Sequence, residues 1–580
     1  MDDGTLVDTL LRTAREQPDA VAFGFLTDGD DTCVEMTYRE LATEARRIAS
    51  LLLDRSAPGS RAVLVYPPGL DFIAGFFACL LAGVVAVPAY PPVPPGKEAA
   101  AQRFRGIVRG AAAELVLTTA DYLAFRDADP LMRTVVDVPW LATDRRRLGA
   151  ADDRREPDVR PDSVALIQYT SGATGDPKGV VLRHDALLAN QRAIQCAMDS
   201  SERTVGVSWL PMYHDMGLIG FVIHPLFLGI PSYLMSPLHF LERPIRWLRA
   251  ISRYGATISG APNFAYELCL RRITPQEEEA ADLDLSSWMV AFIGSEPVRA
   301  APLRRFADRF AARGLRREAL YPCYGLAEAS LLVTGSVPLA GLRTTWLDGV
   351  ALGNGMVEPT TPDQPGAVEV VSSGRPPEGV EVAVIDRESG DPLPDGQVGE
   401  IWTRGPSVAA GYWGRPEQTE ATFRALLPGR PAEPFLRTGD LGFLLVGELY
   451  VTGRAKELMI VHGRNVYPQD IELAAQDADS RVRNGCGAAF GIVVGESEEV
   501  ALVQEVSATD EPTLRDLMRT IRHTVADAHG IRLAAICLVP PRALPRTSSG
   551  KLKRGACRDA FLDGRIKPLV EWLDTALAGV

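Results

Sequence analysis

Hydrophobic positions at the start of the chain alternate between two periods. Thr37-Tyr-Arg-Glu40 has capping-box spacing, and Leu41, Ala45, Ile48 and Leu52 follow at helical intervals, which predicts an amphipathic helix to about Leu53. Residues 61–66 then read as a buried strand. The cycle repeats with a helix over 72–82, a strand over 84–87, a helix over 99–111 and a strand over 114–118. Such alternation predicts an α/β fold with helices on the faces of a sheet.

The longest uncharged apolar run, residues 72–87, falls short of the ~20 residues that span a bilayer. Gly83 can end a helix there, and the β-branched Val84, Val85 and Val87 follow as a strand, so no membrane span is expected. Five prolines between Pro88 and Pro95 predict a rigid loop, because proline donates no ladder hydrogen bond. Residues 144–162 are charged and read as a solvated connection. From Val380 the texture changes to short β segments broken by turns, such as 382–385 and 400–403. The last stretch, about 457–580, combines a long helix pattern over 514–528 with strands over 500–506 and 536–539, enough for a separate α+β domain.

At 580 residues the chain exceeds the ~250–300 at which single cores stop growing, so at least two packed units are expected. The net charge of -13 disfavours nucleic acid and anionic membranes as general partners, so an anionic ligand must be held by local cations. Eight cysteines without a CxxC pair, with seven histidines, give neither a zinc spacing nor a disulfide framework, and reduced, mostly buried thiols are expected. The acidic Met-Asp-Asp-Gly start lacks the features of a secretory signal, which points to a cytoplasmic location.

The chemistry begins between two strand candidates, 164–169 and 180–182. They are joined by Thr170-Ser-Gly-Ala-Thr-Gly-Asp-Pro-Lys-Gly179. Three glycines allow positive φ, backbone amides and the hydroxyls of Thr170, Ser171 and Thr174 can face an anion, and Lys178 adds charge, a combination suited to a polyphosphate. It is not a Walker A loop, since glycine follows Lys178 and no helix supplies a dipole end. A generic loop of this composition is better explained as a flexible hairpin, but the full string is similar to the phosphate-binding loop of the acyl-adenylate-forming superfamily of acyl-CoA synthetases, peptide-synthetase adenylation domains and luciferases.

Further motifs of that superfamily follow in its order. Ser208-Trp-Leu-Pro-Met-Tyr-His-Asp-Met-Gly-Leu-Ile-Gly220 resembles the substrate-side helix start, with His214 near the reacting carboxylate and Met212, Asp215, Met216 and Gly217 around it. Ile293-Gly-Ser-Glu-Pro297 and Tyr321-Pro-Cys-Tyr-Gly-Leu-Ala-Glu328 resemble the adenine-binding segments. The resemblance implies that Gly294, Ser295, Glu296 and Gly325 line the nucleotide, Tyr324 stacks on the base and Glu328 holds Mg²⁺. Leu436-Arg-Thr-Gly-Asp440 and Gly453-Arg454 resemble the ribose and phosphate contacts, and Lys456 falls at the interdomain hinge. Leu544-Pro-Arg-Thr-Ser-Ser-Gly-Lys551 resembles the loop carrying a catalytic lysine. The implied architecture is a large N-terminal domain over 1–455, with α/β sheets and a β subdomain, and a smaller mobile C-terminal domain over 456–580. Taken singly, His214 and Tyr324 could be core residues, Glu328 and Asp440 turn carboxylates, and Lys551 part of a solvated basic face; their joint occurrence in order favours the site.

The implied reaction explains these residue types. A carboxylate must attack the α-phosphorus of ATP, two anions that repel, so cations and donors are needed where charge develops, as Lys551, Lys178 and Glu328-bound Mg²⁺ would supply. Ser259-Gly-Ala-Pro-Asn-Phe-Ala-Tyr-Glu-Leu-Cys269, with Phe264, and Gly463-Arg-Asn-Val-Tyr-Pro-Gln-Asp470 resemble the fatty acyl-AMP ligase branch in particular. Apolar Met212, Met216, Leu218, Ile219 and Phe264 are read as favouring an alkyl chain. A long stretch at about 340–372 resembles the insertion that in this branch restrains the C-terminal domain and disfavours CoA, which implies a carrier-protein phosphopantetheine as acceptor of the fatty acyl group. The acyl-CoA synthetase, the aryl- or amino-acid-adenylating enzyme and the non-catalytic scaffold are the alternatives. Ala173 and Ser295 depart from the superfamily pattern, and at most weaker ATP affinity is expected from them.

Overall fold

The computed structural model describes residues 4–92, 98–145, 157–170, 177–461, 464–494, 497–508, 510–546 and 552–574. Two sheets organise the N-terminal region. The first has seven strands in the order Gly411–Tyr412, Lys178–Arg183, Val164–Thr170, Val85–Pro88, Arg61–Leu64, Leu115–Thr118 and Trp140–Ala142. Its centre is parallel, as the alternating pattern predicts, and Val164–Thr170 turns back antiparallel into Lys178–Arg183. The second has eight strands, from Leu332–Gly335 and Leu320–Gly325 through Val290–Ile293, Ile258–Gly260, Gly206–Ser208 and Ser232–Met235 to Val21–Leu26 and Cys33–Thr37.

The predicted helices form with small shifts at their ends. In Tyr38–Leu53 the Thr37 and Glu40 side chains cap each other's backbone, and Leu70–Leu81 and Glu98–Gly110 follow. The apolar run is a buried helix: Phe76 and Phe77 are fully removed from water, each contributing about 1.5–3 kcal/mol relative to exposure. No helix among the described residues is long and apolar enough to cross a membrane. Pro88 corrects the sequence reading, since it closes the strand opposite Leu64 instead of opening the loop. The bond to the Leu64 carbonyl is donated by Ala89 at 3.0 Å, so none is required of Pro88. Residues 93–95 of that loop, and 146–156 of the expected connection, lie outside the described residues.

The β texture after Val380 forms a five-stranded antiparallel sheet of Glu381–Ile385, Gly399–Arg404, Arg430–Leu445, Ala425–Leu427 and Glu448–Arg454. Before it, the stretch at 340–372 folds into a hairpin of Thr344–Asp348 and Ala367–Val371 with the helix Gly349–Gly353 between them. Leu347 and Leu352 pack on Phe443 and Tyr450 of the β subdomain, and Arg304 pairs with Glu369 at 2.5 Å.

The smaller C-terminal region has a four-stranded sheet, Val482–Val494, Ser497–Val506, Leu533–Val539 and Val570–Leu573, flanked by helices Pro468–Asp477, Glu511–His529 and Arg554–Leu562. It buries its own apolar core around Leu502, Leu517, Ile521 and Ile536. At the first residue of the last helix, Arg554 lies between Glu472, at 2.6 and 2.8 Å, and Glu457, at 2.6 Å. All eight cysteines are free and five are buried, as expected.

Candidate active site

Thr170 and Lys178 face each other at the open end of the hairpin in the seven-stranded sheet. The intervening Ser171, Gly172, Ala173, Thr174 and Gly175 lie outside the described residues, as does Lys551. The Lys178 ammonium stands 4.5 Å over the ring of Tyr412, which reaches this place because Gly411–Tyr412 bridges to Val181 and Val180. The Tyr412 hydroxyl donates to Glu328 Oε1 at 2.9 Å. Tyr412 was missed in the sequence; only a short Gly-Tyr-Trp string marks it.

Glu328 sits on a single 3₁₀ turn, Ala327–Ala329, fixed at both ends. Before it, a Cβ on Gly325 would lie 1.8 Å from the Leu331 carbonyl oxygen, so the close turn admits glycine alone. After it, Ser330 is buried at φ 66° and donates its hydroxyl to the Ser407 carbonyl at 2.7 Å. The Ala409 amide donates to the Glu328 carbonyl at 2.9 Å, tying the turn to the segment that carries Tyr412. Desolvation pushes the Glu328 carboxyl above the ordinary carboxylate range, against the Tyr412 hydroxyl and the Arg454 charge. Desolvation and the like charge of Lys456 push Lys178 down, with Glu328 opposing.

A second group occupies the neighbouring strands. Asp440 and Arg454 are register partners, with Arg454 Nε 3.2 Å from Asp440 Oδ1, and the Tyr324 hydroxyl donates to Asp440 Oδ2 at 2.7 Å. Asp440 holds the Arg454 guanidinium above its ordinary value. Tyr324, buried, is thus anchored by its hydroxyl to the carboxylate predicted to meet ribose. In the loop after Val290–Ile293, Ser295 adopts φ 75°, and the Glu296 carboxylate accepts the Phe264 amide at 3.3 Å. That bond joins the predicted adenine segment to the helix Asn263–Arg272, which carries Phe264.

The substrate segment runs from Gly206–Ser208 to the helix Asp215–Leu218, whose N-cap is His214. The His214 carbonyl accepts the Leu218 amide at 2.8 Å and its ring lies 5.0 Å from that of Tyr213. A Cβ on Gly217 would meet the Pro211 carbonyl oxygen at 2.1 Å, which explains the glycine. The Asp215 carboxylate accepts the Met216 amide at 2.8 Å. Gln168 donates to the Tyr213 carbonyl at 2.9 Å, so this segment is held two residues from Thr170. Met212 lines an apolar cavity with Tyr66, Phe72, Leu234 and Met235. Phe264 and Met216 are partly buried at the edge of the core. Leu218 and Ile219 are fully buried, because the helix continues through Ile219–Ile223 and turns them into the core.

Lys456 follows the second group directly in sequence and lies near Lys178. The helix Gly349–Gly353 touches the strand Arg464–Val466, where a Cβ on Gly353 would stand 3.1 Å from the Asn465 carbonyl oxygen. Among the described residues no three carboxylate, imidazole or thiolate side chains converge into a metal cage. A single desolvated carboxylate, Glu328, nonetheless fits Mg²⁺, which is held through one or two carboxylates together with substrate phosphates.

Comparison with known proteins places this geometry. The chain matches the AMP-binding enzyme family over residues 10–413 and the Disco-interacting protein 2-like AMP domain over residues 456–570. It is 41% identical to a medium-chain-fatty-acid–[acyl-carrier-protein] ligase of Moorena producens, over 97% of this chain and 96% of that protein. It is 34% identical to a long-chain-fatty-acid–AMP ligase of Mycolicibacterium smegmatis, over 98% and 95% respectively. Its structure superposes on a fatty acyl-adenylate ligase from L. pneumophila, solved with acyl adenylate and pyrophosphate, with a TM-score of 0.76 and 38% identity over 98% of each chain. The chain belongs to the AMP-binding enzyme family and, within it, to the fatty acyl-AMP ligases.

Proposed function

We propose that the enzyme uses ATP to activate a medium or long fatty acid and passes the acyl group to the phosphopantetheine thiol of a carrier protein. In the first step a carboxylate oxygen attacks the α-phosphorus, the bond to the β-phosphate oxygen breaks and pyrophosphate leaves. In the second, the thiol sulfur attacks the acyl carbon, its proton is lost and AMP leaves. The observation that carries this reading is the convergence of Lys178 and Glu328 on Tyr412, with the Asp440–Arg454 pair close enough to act on the Glu328 carboxyl.

Lys178 and the hydroxyls and amides of the 170–178 loop bind the phosphates, Asp440 accepts from the ribose hydroxyls, and Tyr324, Gly294, Ser295, Glu296 and Gly325 enclose the base. His214 orients the fatty carboxylate, and the alkyl chain packs against the apolar side chains around it, Met212, Met216 and Phe264. Glu328 would hold Mg²⁺, which would supply charge neutralisation on the nucleotide. Lys551 pairs with the carboxylate and the α-phosphate, brought from a C-terminal domain, 456–580, that pivots at Lys456 on the 1–455 domain. The contact of Gly349–Gly353 with Arg464–Val466 supports a restraint on that pivot. A carrier protein adds interface binding energy that offsets the restraint, whereas free CoA does not. Dependence on ATP and on a carrier protein suits a cytoplasmic enzyme.

Incubation with ATP, Mg²⁺, a ladder of fatty acids and either carrier protein or CoA, followed by chromatography, tests the reading. Acyl-AMP and acylated carrier are expected, with little acyl-CoA. Efficient acyl-CoA synthesis would move the enzyme to the acyl-CoA synthetases, and no acyl-AMP with any fatty acid would remove the fatty substrate.

A further inference from the structure

Tyr412 lies between two charged groups that, on adjoining elements in a desolvated site, could pair directly. A Lys178–Glu328 ion pair would neutralise both and leave neither for a ligand, yet no such pair forms among the described residues. The face of the Tyr412 ring takes the ammonium and its hydroxyl takes one carboxylate oxygen. A ring face and a neutral donor satisfy the two groups without cancelling either formal charge.

The ring itself is fixed. The Tyr412 amide donates to Thr419 Oγ1 at 2.9 Å, and the ring meets Phe423 edge-on at 5.0 Å. Gly411 brings the helix Pro416–Phe423 close: a Cβ there would sit 2.3 Å from Thr419 Cγ2. Trp413 donates its amide to the Gly179 carbonyl at 2.8 Å, next to Lys178 in sequence. Tyr412 is therefore held rigidly to the strand that carries Lys178 and, through its hydroxyl, to the turn that carries Glu328.

We propose that Tyr412 is a positioning residue that keeps Lys178 and Glu328 separately charged and aimed at one polyphosphate, so that ATP is bound preferentially as its divalent-metal complex. The proposal rests on the nucleotide half of the reading above. Its distinctive consequence is a split between two ligands. Of these two groups, bare ATP engages the ammonium alone, whereas the metal complex also needs the oriented carboxylate.

Calorimetric titration without fatty acid separates these roles, using ATP in excess EDTA and ATP with Mg²⁺ on wild type, Tyr412→Phe and Tyr412→Leu. Tyr412→Phe keeps the ring under Lys178 and removes only the donor to Glu328. It should weaken binding of the Mg²⁺ complex about tenfold, the typical worth of a hydrogen bond to a charged group, and leave bare ATP within twofold of wild type. Tyr412→Leu should weaken both ligands. Unchanged binding of the Mg²⁺ complex by Tyr412→Phe overturns the proposal. So does an equal loss for both ligands in that variant, which marks Tyr412 as packing. Because Tyr412→Phe retains the ring, it remains informative if Tyr412→Leu does not fold. Acyl-AMP synthesis by the wild type is scored separately: its absence alongside the predicted titrations sinks the ligase reading and leaves this one standing.

Discussion

Two groups of desolvated charges, one in each part of the molecule, are resolved in opposite ways. Around Tyr412, Lys178 has Lys456 and Arg415 as like-charged neighbours and, among the described residues, Glu328 opposing them, while the Glu328 carboxyl is pushed up by desolvation. In the C-terminal region, Arg554 lies between Glu457 and Glu472, and Glu472 Oε1 also accepts the Ala489 amide at 3.0 Å. The second group is saturated by protein partners and the first is not. A saturated group contributes to structure; charges kept apart are poised for a ligand that completes them.

If this contrast is correct, removing Arg554 costs stability first. Arg554→Met leaves two largely buried glutamates without their cation, a loss of about 3–5 kcal/mol when one partner of a buried pair is removed. Amide exchange in Pro468–Asp477, which carries Glu472, should speed up accordingly. The second substitution Glu472→Gln should recover part of the loss. Unchanged exchange in a catalytically dead Arg554→Met would make this group functional and dissolve the contrast.

The opposite outcome is expected at Glu328. Glu328→Gln keeps the shape and an oxygen for the Tyr412 hydroxyl but loses the charge. Acyl-AMP synthesis at fixed Mg²⁺ should fall about 10²-fold, the effect of removing one element of electrostatic stabilisation, and added Mg²⁺ should partly restore it. Thermal unfolding should stay the same or rise, since a desolvated charge has been removed. Retained activity with a lowered melting temperature would assign Glu328 to the fold.

The degree to which these groups could be read in the sequence follows from how local they are. Val164–Thr170 and Lys178–Arg183 are adjacent strands, so the loop between them was visible from periodicity, and Thr37 with Glu40 marked a helix start by spacing alone. Tyr412 meets Lys178 and Glu328 through a two-residue strand more than two hundred residues after Lys178, and no local pattern encodes that pairing. Leu218 and Ile219 stood out as apolar neighbours of His214, but their packing into the core follows from the continuing helix, which the local pattern does not encode. The stretch at 340–372 was legible as extra length; its hairpin and its packing on Phe443 and Tyr450 depend on long-range contacts.

Asp470 is the case that sharpens the contrast most finely, because it is a desolvated carboxyl in the C-terminal region with no cation against it among the described residues. Burial, with Glu472 nearby, pushes its carboxyl from the ordinary 3.8 to about 7. A raised folded-state value means that the folded protein resists ionisation. The protonated form is therefore at no disadvantage below about pH 4, and stability is lost as the pH rises from there through 7. Its place in the first turn of Pro468–Asp477 works the other way, since a helix N-terminus favours a negative charge. The net effect of Asp470→Asn is set at about 1 kcal/mol of added stability at pH 8, shrinking to nothing near pH 4. His529, which burial pushes below its ordinary value, also titrates, but it is present in both proteins and cancels in their difference. The check is the difference in unfolding free energy between wild type and Asp470→Asn across pH 4–8. A difference that grows with pH, with acyl-AMP synthesis unchanged, marks an unpaired charge that the fold merely tolerates. A flat difference accompanied by lost activity would place Asp470 with Lys178 and Glu328, among the charges kept incomplete for a ligand.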